Sequence, residues 1–322
     1  MTKHLHLLGG TGRIGNQLIQ SLSNQPIDNL LNIWTYCDGN KAYKYSLKEN
    51  QKESDIILKF RNYSAFHIGN LISNGEIEKN DKHIVINLRG INNKKDWLNK
   101  PLESMDIQIQ ACKNIIDSDL WMYPNTEIIH LSSQLCELIE GQHSLQQICE
   151  GDDSYRRTYM ISRLHQEAML SAYAFRHGIH TKFIRLPAVY GFKDDHKSPW
   201  VLNSLIKEGL TKGNILPRNP SSYAWLTHQK VLINFLRKII STSGNFKTET
   251  TVSYMLSPSI GMKIQALADF ILSYIYDKKT NEELNLAASI VKNDILGTDD
   301  ESDLNINLLN STIKGLIAGE SN

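Results

Sequence analysis

Short apolar runs of strand length alternate along the chain with segments whose apolar residues recur at helical spacing. Residues 3–8 form the first run and lead straight into Gly9-Gly10-Thr11-Gly12-Arg13-Ile14-Gly15. Leu18, Ile19 and Leu22 then predict a helix over 16–23. A second strand is expected over 31–37, ending at Asp38-Gly39. The polar stretch 40–54, with Lys41, Lys44 and Lys48, is expected on the surface. Three more runs of strand length cover 65–68, 83–88 and 127–131. Between the last two, Met105, Ile107, Ile109, Ala111, Ile115 and Ile116 predict a buried helix over 104–116. A longer helix over 159–175 and a strand over 181–186, stopped by Pro187, complete the alternation. That rhythm argues for an α/β fold with a doubly wound parallel sheet. The last third is less regular. Helices are expected there over 199–209, 230–240, 262–276 and 305–317, with a strand over 251–256. A turn-rich break falls at 217–222 and an acidic, exposed segment at 297–302.

Composition narrows the class. The chain has 322 residues, 41% of them hydrophobic, which allows one large domain or two smaller ones. With 35 basic against 34 acidic residues the net charge is +1, and no basic stripe offers a footprint for nucleic acid. Apolar runs such as 84–88 and 128–131 are far too short to span a bilayer, and the first eight residues lack a signal-peptide pattern. Four cysteines without CxxC spacing are those of a protein with reduced thiols, so a cytoplasmic location is expected. None of the eleven histidines falls in a metal-ligand pattern, and no metal is expected; His4 and His6 alternate along the first strand and are read as structural or exposed.

The glycine loop changes the picture because of where it lies. Gly9, Gly12 and Gly15 stand between a predicted strand and a predicted helix. There the first glycine permits the tight turn, the second lets backbone approach a pyrophosphate, and the third lets helix pack on strand. Gly9, Gly12, Arg13, Ile14 and Gly15 are therefore expected at a dinucleotide cofactor. The acid expected about 20 residues further on is Asp38, which can accept both adenosine-ribose hydroxyls and favours NAD over NADP. Asp38 can also be an ordinary turn residue before Gly39. Arg13, Lys41 and Lys44 offer charge that could neutralise the 2′-phosphate of NADP instead.

Ser132-Ser133 follows the strand at 127–131, and Tyr159-Met160-Ile161-Ser162-Arg163 opens the long helix. With the glycine loop and Ile184-Arg185-Leu186-Pro187-Ala188-Val189-Tyr190-Gly191, these segments resemble the extended short-chain dehydrogenase/reductases, the NAD-dependent epimerase/dehydratase family that acts on nucleotide sugars. The resemblance runs over nearly the whole chain. It implies a Rossmann-type dinucleotide-binding domain over 1–190 and a smaller carboxyl-terminal α/β substrate-binding domain over 191–322, with some segments returning to the Rossmann sheet. Ser253-Tyr254-Met255-Leu256 resembles the late strand of the family's substrate half. A homodimer through the helices at 104–116 and 159–175 is implied as well.

The chemistry explains the residue types. Hydride transfer at a sugar carbon leaves a proton to be moved on the attached oxygen. A tyrosine hydroxyl, with its ordinary pKa of about 10, does this once a neighbouring cation favours phenolate. A serine hydroxyl fixes the same oxygen. By resemblance Tyr159 is the acid/base, Ser133 the orienting donor, and Arg163 stands where the family has the lysine that also bonds the nicotinamide ribose. Arginine keeps the charge but is longer and planar, so the exchange is not conservative at a packed ribose site. Leu88-Arg89-Gly90 replaces the family's small residues beside the cofactor, and Arg89 can meet phosphate or solvent. The family's acid after 225–228 is replaced by Gln229-Lys230. Asn70-Leu71 would lie at the adenine and Pro187 beside the nicotinamide. Tyr223, Trp225 and His228 are candidates for the nucleotide-sugar pocket, with ordinary packing as their other reading. The Arg-Leu-Pro…Tyr-Gly segment favours a 4-ketoreductase of deoxysugars; a 4-epimerase with tightly bound NAD and a catalytically weakened cofactor-binding relative are the alternatives. A dehydratase is disfavoured, because Gln134-Leu135 rather than an Asp-Glu pair follows Ser133.

Overall fold

The computed structural model describes residues 2–28, 30–37, 57–62, 66–91, 94–123, 125–137, 154–192, 201–217, 219–243, 251–257, 259–276, 288–289 and 299–320. Asp38 and the stretch 40–54 lie outside them. The chain divides into two compact units, residues 1–186 with 236–256, and residues 187–235 with 257–322.

The first unit is a parallel seven-stranded sheet. Its strands are β1 (Lys3–Leu8), β2 (Leu30–Cys37), β3 (Ile57–Asn62), β4 (Lys82–Asn87), β5 (Thr126–Ser133), β6 (His180–Leu186) and β9 (Val252–Leu256), in the order β3-β2-β1-β4-β5-β6-β9. Helices α1 (Arg13–Asn24), α2 (Ile68–Ser73), α3 (Lys94–Asn99), α4 (Pro101–Ile116) and α5 (Ser154–His177) fall between successive strands, as parallel pairing requires. This is a Rossmann-type, doubly wound arrangement. α1 forms because Leu18, Ile19 and Leu22 make one apolar stripe, all buried, each contributing about 1.5–3 kcal/mol. α4 starts at Pro101, whose fixed φ suits a first turn, and buries Ser104, Gln108, Ala111, Cys112 and Ile115.

Both faces of β1 are covered, so the alternation His4-Leu5-His6-Leu7 is not polar-out. His6 stacks on Trp34 with ring centroids 5.1 Å apart, approaches the Tyr36 hydroxyl at 3.3 Å, and shares a hydrogen bond of 3.3 Å with His83 on β4. His4 pairs with Asp81 at 2.8 Å. Burial, and then repulsion by neighbouring histidines (His83 and His4 on His6, His4 on His83), hold both imidazoles below the ordinary histidine range, His83 down to about 4. They are neutral core residues.

The structure departs from the sequence reading at several elements. The run expected as a strand over 65–68 is none in its described part, 66–68: Phe66 and Ile68 are buried in the core, and Ile68 opens α2. The strand that precedes β4 is instead Ile57–Asn62. The strand at 252–256 is not part of a substrate half but pairs with β6 in the large sheet, Thr181 opposite Val252 and Arg185 opposite Leu256. Met262 and Lys263 lie in a strand rather than at the start of a helix.

The second unit holds β7 (Ala188–Tyr190), β8 (Tyr223–His228), β10 (Ile260–Lys263) and β11 (Ala288–Ser289), ordered β11-β10-β8-β7. β7 is parallel to β8, and the other pairs are antiparallel. Its core joins Leu202, Leu205 and Ile206 of α6 (Val201–Lys212) to Leu267 and Ile271 of α8 (Ile264–Ile275) and Leu309 and Ile313 of α9 (Asp299–Glu320). The remaining helix, α7 (Gln229–Thr242), begins in this unit and ends in the first. Among the described residues no helix is long and apolar enough to cross a membrane, and no cluster of His, Cys, Asp or Glu could hold a metal ion.

Candidate active site

The glycine loop is drawn tight between the ends of two strands. Gly9 N–H donates to the Tyr36 carbonyl at 3.0 Å, and Gly12 N–H donates back to the Gly9 carbonyl at 2.9 Å. Gly9 has φ +89°, and a Cβ there would stand 2.9 Å from the backbone nitrogen of Arg89, so only glycine fits. Gly12 is the N-cap of α1, which has no side-chain cap and no acidic residue in its first turn. The backbone N–H groups and positive end of that helix are thus not neutralised by a side chain of the cap or first turn, the setting an anion uses. Arg13 and Ile14 are half-buried and Gly15 is buried.

The segment after β4 closes against both this loop and the long helix. Leu88 N–H donates to Leu8 O at 2.8 Å, and Arg89 N–H donates to Asn87 Oδ1 at 3.2 Å. Gly90 faces Arg163: a Cβ on Gly90 would stand 2.5 Å from Arg163 Nη2. On α5, Arg163 Nε donates to the Tyr159 hydroxyl at 3.3 Å, the natural reach of residues four apart on a helix. Arg163 Nη1 donates to the Leu131 carbonyl at 3.2 Å, which ties the helix to the strand end that carries Ser133. Ser133 is buried, and its Oγ accepts from Leu135 N–H at 3.3 Å. The Trp97 ring meets Tyr159 edge to face, with centroids 5.7 Å apart.

Behind the strand end lies a buried ion pair. Glu167 accepts from Arg185 Nη2 at 2.7 Å and from Nε at 3.2 Å, and Ser132 donates to the same carboxylate. Arg185 also covers the Tyr254 ring at 4.9 Å. His130 is fully buried and accepts at Nδ1 from Asn87 Nδ2 at 3.1 Å. Burial, then the Arg163 charge, hold it down to about 3, so it is neutral. Burial pushes the thiols of Cys112 and Cys136 up to about 12 and about 11, which makes both unreactive.

The first unit therefore links Gly9, Leu88, Arg89, Gly90, Arg163 and Tyr159 in one chain of contacts, with Ser133 two residues past the carbonyl that Arg163 holds. Asn70 is exposed on α2, and Leu71 is buried in the core. Pro187, Tyr223, Trp225 and His228 belong to the second unit. His228 is buried against Tyr190, with centroids 5.1 Å apart, and burial holds it down to about 4. Tyr223 is 46% exposed and stacks on Trp225 at 6.0 Å. Sequence reasoning missed Trp97, Gln108, Gln166 and Asn87, and it did not foresee that Ser132, Glu167 and Arg185 meet one another. Gln108 shares a buried stripe with Ser104, Ala111, Cys112 and Ile115, a signal that was legible.

Comparisons with known proteins bear on this geometry. Among curated sequences none matches the chain. Among solved structures, a UDP-N-acetylglucosamine 4-epimerase from Methanobrevibacter ruminantium, in complex with UDP-N-acetylmuramic acid, is similar with TM-score 0.64 and 16% identity over 99% of each chain. A UDP-glucose 4-epimerase from Thermotoga maritima with UDP-glucose gives 0.59 and 13%, over 96% of this chain and 99% of that one. The Bordetella bronchiseptica enzyme WbmF in complex with NAD+ gives 0.55 and 14%, over 99% of this chain and 96% of that one. At such identities these likenesses establish the fold alone. The model of the NAD dependent epimerase/dehydratase family matches residues 5–220, well over half of the sequence and including the glycine loop, Ser133 and the Tyr159–Arg163 pair. The chain belongs to that family.

Proposed function

We propose that the protein is an NAD(P)-dependent oxidoreductase acting on a nucleotide-activated sugar. The observation that carries this reading is the Arg163 Nε–Tyr159 hydroxyl contact of 3.3 Å on a helix tied to the Ser133 strand end. The chain's residues fit a dinucleotide: Gly9 turns the loop hard against the Arg89 backbone, with no room for a Cβ, and α1 opens without a side-chain cap. Gly9, Gly12, Arg13, Ile14 and Gly15 would hold its pyrophosphate, with Leu88, Arg89 and Gly90 beside it. Asp38 favours NAD. When bound, the nicotinamide supplies or accepts the hydride.

Tyr159 gives its proton to the sugar oxygen in reduction and takes it in oxidation. Ser133 donates to the same oxygen and fixes it. Arg163 faces the tyrosine oxygen on which negative charge develops as the proton leaves. The Arg185-Leu186-Pro187…Tyr190-Gly191 segment supports a 4-ketoreductase. The 4-epimerases of like fold support the second reading, in which Tyr159 takes and returns one proton in a single cycle. Helices α4 and α5 carry exposed Leu102, Ile161 and Phe175, which supports pairing with a second copy.

The test is to denature the purified protein and identify the released nucleotide by mass spectrometry. Stoichiometric NAD favours the epimerase. An empty protein that binds reduced cofactor reversibly favours the ketoreductase. Failure to bind either NAD(H) or NADP(H) overturns the proposal.

A further inference from the structure

An arginine at position 163 raises a question of geometry: what holds a long, planar side chain so that one nitrogen meets Tyr159? We infer that Gln166 is the positioning residue, acting with Gln108 as a buried bracket that sets the Arg163 guanidinium against the tyrosine. Gln166 Oε1 accepts from Arg163 Nη1 at 3.2 Å, and Gln166 Nε2 donates to the Gln108 carbonyl at 2.6 Å. Both glutamines are fully buried. Gln108 Nε2 in turn donates to the Ile91 carbonyl at 3.0 Å, and the same carbonyl accepts from Trp97 Nε1 at 2.9 Å. Trp97 packs on the Tyr159 ring. Tyr159 is thus held from two sides, through Arg163 and through Trp97, and both routes end on Gln108 in α4.

The residue types match the arginine. A guanidinium is a rigid fork, so fixing Nη1 on two acceptors, Gln166 Oε1 and the Leu131 carbonyl, also fixes where Nε points. A lysine ammonium has no such fork, so a bond from it to Gln166 would not fix the direction of a second donor. Gly90 leaves the room that Nη2 takes, since a Cβ there would also stand 2.7 Å from Gln108 Oε1. The bracket is therefore the counterpart of Arg163 in this chain. This inference rests on the proposed role of the Tyr159–Arg163 pair.

The experiment reads the bracket without turnover and then with it. In full-length protein labelled with [15N]arginine, the Arg163 Nε–Hε signal, assigned by its loss in Arg163→Lys, is expected to be sharp and protected from solvent exchange. Gln166→Leu keeps the volume but has no acceptor, and Gln166→Asn withdraws the amide by one methylene, a gentler change should the first fail to fold. Both are expected to broaden the signal and lower kcat roughly ten- to a hundredfold, the range for a hydrogen bond to a charged group, with little change in KM for the nucleotide sugar. A protected signal that survives in Gln166→Asn or Gln166→Leu, with kcat unchanged, overturns the inference. An inactive wild type whose Arg163 signal still depends on Gln166 sinks the proposed reaction and leaves the bracket standing.

Discussion

Replacing His130 by asparagine removes a proton acceptor beside Arg163 while leaving an oxygen near the Nδ1 position to accept from Asn87. In the native state His130 is held down to about 3, first by burial and then by the Arg163 charge. In the unfolded chain a histidine titrates at about 6.5. Above that pH both states are neutral, and the native state keeps its full stability. As pH falls below it the unfolded chain takes up a proton that the native state refuses. By pH 5 this favours unfolding by about 2 kcal/mol, against about 0.2 kcal/mol at pH 7. The single imidazole thus removes about 2 kcal/mol between pH 7 and pH 5. His130→Asn is expected to lower stability at pH 7, because ring contacts with Phe183 are lost, yet to lose about 2 kcal/mol less than wild type on acidification. Urea unfolding followed by circular dichroism at pH 7, 6 and 5 measures both. His6 and His83 act alike in the two proteins, so they cancel in the comparison. Parallel pH dependences for wild type and variant would refute the claim that His130 is buried neutral.

Two further outcomes follow from other parts of the site. Gly9→Ala forces a side chain onto a backbone at φ +89° and within 2.9 Å of Arg89 N, so titration with reduced dinucleotide is expected to give at least about tenfold weaker binding; equal affinity would show that the loop does not cradle the cofactor. Glu167→Gln removes the carboxylate charge that faces the buried Arg185 and is expected to cost about 3–5 kcal/mol in urea unfolding, whereas replacing both residues by apolar ones of similar volume recovers most of it.

What the sequence made legible follows from how local each signal is. The β1–loop–α1 unit shows because the glycines, the strand and the helix stripe are contiguous, and α4 and α5 show through apolar spacing. β3 does not, because Lys59 and Arg61 interrupt its apolar residues; both pair with Glu76, as an edge strand allows. Phe66 and Ile68 look like a strand only because they are apolar, when their burial comes from the start of a helix. The place of residues 252–256 depends on pairing with a strand some 70 residues earlier, which no local pattern encodes. At the site, Tyr159, Arg163 and Ser133 stand out as motif positions. Gln108 and Gln166 do not, since a glutamine on a helix reads as solvent-facing until the stripe it shares is traced.

The return of β9 to the large sheet has a consequence for biosynthesis. β6 ends at Leu186, and its neighbour on that side is not made until residue 256 has left the ribosome. While residues 187–251 are being synthesised, one row of β6 N–H and C=O groups has no strand to pair with, at the edge of an otherwise complete parallel sheet. Such an edge is a template for a second nascent chain. Translation on crowded polysomes is therefore a stage at which this edge is open to misassembly, and a fragment ending at residue 190 would carry it permanently.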